Sequence, residues 1–295
     1  MKYLKITFIG LVVIAQIILN GLLVQLLINN TPKIGAFTTR GDFMLDISRG
    51  NVSGMVTVNK FGRSTNVDSG IATDVWDRAN ATNDQDIWVA PTQARIHGIV
   101  SDSGSDTSAG AGAKTIRVFG LTSWSTSEES EDITMSGATN VSTTKSYVII
   151  HRMRVLTKGA TNVNVGNITA TADVDATITA QILAGQGQTQ MAIYGVPSNQ
   201  TAYMTQFYVS VNKSGGATGA MDGSIFYNPE PDVELTNFLV KHTTGKITTG
   251  SSNGAPQRFN PPKKFVGPGI IKMQAVGSAN DLDVSAGFDL ILIDN

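Results

Sequence analysis

The chain has 295 residues, long enough to bury one large or two modest cores without disulfides or metals to staple them. It contains no cysteine, which excludes a thiol nucleophile, a CxxC redox pair and cysteine-ligated zinc. A formal net charge of -1 with 15% charged residues offers little field for a polyanion, so no nucleic-acid partner is expected.

In chain order, the first feature is an almost wholly apolar, uncharged segment from Ile6 to Ile28. As a helix it would span about 34 Å at roughly 1.5 Å per residue, which is membrane length. Residues before Ala36 do not suit a secretory cleavage site, because Ile34 puts a bulky side chain where a small one is needed. An uncleaved anchor making membrane contact is therefore expected over residues 1–36, with an upstream extension absent from the mature protein as the other reading. Gln16, Asn20 and Gln25 fall on neighbouring helix faces, where they either bond to another copy or are simply tolerated.

After Pro32 the composition turns to Gly, Ser, Thr, Asn and Asp with short apolar runs, the texture of strands and turns. Residues 37–94 read as a turn-rich arm in which Met44–Ile47 and Val52–Val58 form strands. Residues 95–295 read as the β-sandwich region, in one or two subdomains. Strands are expected at Arg95–Ser101, Lys114–Thr122, Asp132–Met135 and Tyr147–Leu156. Ile168–Ala172 and Ala176–Ile182 flank Asp173-Val174-Asp175 and predict a hairpin.

Over Ala202–Lys213, strict alternation sets Tyr203, Thr205, Phe207, Val209 and Val211 on one face and Met204, Gln206, Tyr208 and Ser210 on the other. Ser224–Tyr227, Leu235–Lys241, Ile270–Val276 and Phe288–Ile293 complete at least eight strands. Without helical crossovers, the expected fold is all-β: an antiparallel, jelly-roll-like β-sandwich with an N-terminal hydrophobic helix.

Candidate chemistry is sparse. His97, His151 and His242 lie in or beside strands at no metal-ligand spacing, and neither HExxH nor GxSxG occurs. Glu128, Glu129, Glu131 and Asp132 could supply a carboxylate pair for glycosidic cleavage, yet their Ser/Thr-rich surroundings predict a solvated loop. The spaced aspartates, including Asp102 with Asp106, lack the glycine and closing glutamate of a calcium loop. Pro261, Pro262, Lys263 and Lys264 suit a solvated edge. No catalytic residue, cofactor or metal site is expected. Trp76, Trp88 and Trp124 are the candidate interaction residues, serving core or subunit packing or, if exposed, stacking against a glycan.

Several stretches form a recognisable set: Gly41-Asp42-Phe43-Met44-Leu45-Asp46-Ile47 onward to Gly54, Val58-Asn59-Lys60-Phe61-Gly62, and Ile87-Trp88-Val89-Ala90-Pro91-Thr92. To these are added Arg152–Leu156, Gln190–Tyr194, Thr201–Tyr203 and the terminal Ala286–Asn295. The set resembles a group of virion structural proteins of marine tailed bacteriophages, from about residue 41 to the end. The resemblance implies a β-rich, non-enzymatic particle component that assembles with itself and other virion proteins, and it supplies no catalytic residue. The alternative is a membrane-anchored surface adhesin or carbohydrate-binding module, supported by the apolar segment and the tryptophans.

Overall fold

The computed structural model describes residues 16, 20, 40–79, 85–213, 218–250 and 256–295. The helix expected over Ile6–Ile28 lies outside the described residues except for Gln16 and Asn20, which are helical. Among the described residues no helix is long and apolar enough to cross a membrane. The chain divides into two compact units, 1–55 and 56–295.

In the first unit, α1 (Arg40–Ser48) replaces the strand expected at Met44–Ile47. Short apolar runs do not distinguish strand from helix, and here the stop signal decides. Gly50 takes a left-handed φ of 75°, its amide donates to the Ile47 carbonyl, and the Asn51 side chain bonds Asp46 at 3.2 Å. This is a glycine C-cap, which a strand would not use.

The remaining described residues form strands in four antiparallel sheets. The first sheet runs β1 (Met55–Val67), β16 (Leu282–Asp294), β11 (Gln200–Lys213), β14 (Gln257–Val266). A second runs β10 (Ile193–Val196), β15 (Gly269–Gly277), β12 (Ala220–Asn228), β13 (Leu239–Thr248), with β2 (Ala72–Asp74) also paired to β15. The third is β6 (Val141–Ser142), β3 (His97–Ser101), β8 (Ile168–Ala172), β9 (Ile178–Ile182), and the fourth is β5 (Glu129–Thr134), β4 (Ala113–Leu121), β7 (Ile149–Lys158). All-β and antiparallel are as expected. The jelly-roll sandwich is not: four sheets stand in a propeller-like ring where a jelly roll has two facing ones.

Strand lengths differ among the sheets. β1 and β11, 13 and 14 residues long, flank the 13-residue β16, whereas β3, β8 and β9 have five residues each. Two cores follow. One gathers Val75, Tyr194, Met204, Phe207, Ile225, Met273 and Phe288 between the first and second sheets. The other gathers Trp76, Trp88, Ile116, Tyr147, Ile149 and Ile182, mostly from the third and fourth.

The predicted hairpin is present: β8 and β9 pair antiparallel, and along β8 the Ile and Ala side chains are buried while Thr169 and Thr171 face outward. The alternation expected over Ala202–Lys213 requires correction. A register shift between Met204 and Gln206 inserts Thr205 against β16, where Met204 pairs with Leu290 and Gln206 with Asp289, and it coincides with a longer gap in the register with β14. Met204 therefore shares the buried face with Phe207, Val209 and Val211, while Tyr203 and Thr205 turn outward. A bulge reverses the parity of every side chain beyond it.

Within 37–94, read as a turn-rich arm, the structure has α1, the long strand β1 and β2. The strand expected at Val52–Val58 is present from Met55 as the start of β1; polar residues from Asn59 to Asn66 hid its continuation to Val67, which as the end strand of its sheet carries cross-strand polar ties: Asn59 Nδ2 to Asp289 and Arg63 to Asp283, both along β16.

Candidate functional site

Trp76 and Trp88 are both buried, at 0% and 2% exposure, inside the second core. Each indole N–H is spent inside the protein: Trp76 Nε1 donates to the Gln85 carbonyl at 3.0 Å and Trp88 Nε1 to the Thr179 carbonyl at 2.8 Å. These rings are packing residues, and no sugar face can reach them. Trp124 is only partly buried and packs on the outside of the same core.

The acidic run is a strand where a solvated loop was expected. β5 begins at Glu129, and each carboxylate has its own partner. Asp132 faces Arg117 across the β4–β5 register at 2.6 and 2.8 Å. Glu129 accepts from Thr122 and from Lys145 Nζ at 2.6 Å, and Glu131 from the Thr144 amide and hydroxyl. Paired in this way, the carboxylates of Glu129, Glu131 and Asp132 serve the sheet.

Asp106 also has a structural role. Its carboxylate accepts from Ser101 Oγ and the amides of Ala113, Val165 and Gly166, at 2.7 to 2.9 Å. Burial alone would raise its pKa, yet these four donors outweigh it and the net direction is down. The residue ties three loops together. Among the described residues no group of three or more His, Asp or Glu is placed to hold a metal ion.

Two charged centres lie within the body. The first joins β2 to β15: Lys272 Nζ stands 2.7 Å from Asp74 Oδ2, with both side chains nearly inaccessible at 4% and 0%. Gln274 Nε2 donates to Asp74 Oδ1 at 2.9 Å and the Trp88 amide to Oδ2 at 2.9 Å, while Phe238 places its ring 4.3 Å from the ammonium. Burial raises the Asp74 pKa against the opposing pull of Lys272.

The second centre lies where three sheets meet, and it was not legible in the sequence. Lys60 of β1 is buried and donates from Nζ to the backbone carbonyl of His151 on β7. His151 is itself 1% exposed; its Nε2 lies 2.5 Å from Glu128 Oε2, and its ring stacks at 4.6 Å on Tyr194 of β10. Among the described residues His151 Nδ1 has no hydrogen-bond partner. The approach is close because Gly62 lets β1 run against the Val75 carbonyl and the Ala192 amide, where a Cβ would collide with both.

The electrostatics follow from burial. Desolvation, aided by Arg152 and opposed by Glu128, pushes the Lys60 amine down to about 7. Desolvation also lowers His151 despite the Glu128 contact. Glu128, whose side chain stays 43% exposed, would be raised by its desolvation, but His151, Lys60 and Arg152 bring it below the usual carboxylate range. This centre can take up protons. The other histidines are simpler: His97 is buried on β3 and pushed down to about 4 by burial, and His242 packs between Phe207 and Phe259.

No family model matches the chain, and no curated protein matches it. Among solved structures, the "Structure of infectious bursal disease virus Gt strain" aligns at 12% identity over 82% of this chain and 73% of that chain, with a TM-score of 0.24. "The 2.6A structure of Infectious Bursal Virus Derived T=1 Particles" aligns at 12% identity over 82% and 70%, with a TM-score of 0.20. Scores of that size do not establish a shared fold.

Proposed function

We propose that this protein is a non-enzymatic structural component of a bacteriophage particle, associated with capsid or tail, that works by assembly with copies of itself and with other virion proteins. The observation carrying this reading is where the stretches resembling virion proteins fall. They supply framework positions of both cores: Trp88 and Met191 in one, Tyr194, Ala202, Phe288 and Leu290 in the other, with Lys60 and Gly62 at the junction. A set of motifs spent on framework suits a protein used for its shape. The adhesin alternative draws less support, since two of its three tryptophans are enclosed.

Mass spectrometry of purified virions tests the reading, with peptides from 55–295 expected at structural stoichiometry. Their absence from virions, together with binding of the recombinant chain on a glycan array, would favour the adhesin instead.

A further inference from the structure

We propose that the Lys60–His151–Glu128 cluster is a proton-gated latch on β1, in which proton uptake by the buried amine and imidazole releases this end strand from the body. The inference stands on the junction itself and holds whatever particle role the chain has.

Three observations carry it. β1 is the end strand of its sheet, so β16 holds it from one side only. Across the junction, Lys60 ties β1 to β7 by a bond to a neutral carbonyl instead of a carboxylate, leaving a charged ammonium poorly compensated. His151 offers Glu128 one nitrogen, and its other nitrogen faces no acceptor among the described residues. A second proton on the ring would create a buried donor with nothing to receive it, at a cost that opening relieves.

The ionisable groups around the cluster reinforce this direction. Arg152 of β7 adds positive charge on one side, and Glu128 supplies the negative charge; Tyr194 of β10 is pushed up by burial and by Glu128, so it stays neutral. Since the amine titrates near 7 when buried and at 10.5 when released, opening takes up a proton between those values. His151 adds a proton below 6.5, and Glu128 one below 4.5. Each step favours opening as pH falls.

Hydrogen exchange of the full chain, corrected for intrinsic rates, tests the latch. Between pH 9 and pH 7 the opening constant of amides in 56–67 is expected to rise about tenfold per pH unit, the slope of one proton. Amides of the central strand β11 serve as the unchanging reference. Lys60→Met should remove this slope, while His151→Gln should keep it and flatten only the region below pH 6.5. A wild-type profile independent of pH, or one that rises equally in β11, overturns the proposal; so does a Lys60→Met chain with the slope intact. The wild-type profile decides alone if a variant fails to fold.

Discussion

Lys272 and Lys60 are two lysines buried in the same body, and they are held in opposite ways. Lys272 meets a carboxylate as buried as itself, with Gln274 and the Trp88 amide filling the other positions around Asp74. Lys60 meets only a backbone carbonyl, and its nearest carboxylate, Glu128, is taken by His151 and half open to water. Burial is common to both. What differs is compensation, which makes the first centre a fixed strut and the second a load that the fold carries only while neutral.

The comparison breaks most sharply at Asp74. Asp74→Ala leaves Lys272 buried and uncompensated and should destabilise the protein by about 3–5 kcal/mol in urea unfolding. A loss under about 1 kcal/mol would show that Lys272 escapes to solvent, making the two lysines alike. Lys60→Met should do the reverse and stabilise by about 1–2 kcal/mol near pH 7, because it removes a desolvated amine that has no buried counter-ion.

Titration sharpens the same contrast. The Lys60 cost is fully present below about 7 and fades as pH rises toward the unfolded value of 10.5, so the midpoint of urea unfolding should climb through that window in the wild type and lose this climb in Lys60→Met. The smallest effect is expected at the exposed pair: Lys145→Ala breaks its contact with Glu129 but should cost less than about 1 kcal/mol.

Most of the strand positions were legible, and the reason is visible in β8, whose Thr and Ala alternate because one face is wet. β1 was legible only at its start, Met55–Val58, since beyond it an end strand bonded through Asn59 and Arg63 shows no apolar period. Met204 was placed on the wrong face because a bulge leaves no local mark in composition. The junction at Lys60 was invisible for a different reason: Lys60, Glu128, His151 and Tyr194 are scattered along the chain, and only the pairing of three sheets brings them together.

The lysine–proline run that reads as a solvated edge does lie on one. β14 ends the first sheet, and Pro261 and Pro262 fall in the gap of its register with β11, between Arg258 opposite Gln206 and Lys263 opposite Met204. Neither proline has an amide to offer a newcomer, and Lys264 stands exposed beside them. That margin therefore discourages lateral growth: copies crowded together at high concentration find no template along β14 for runaway strand addition.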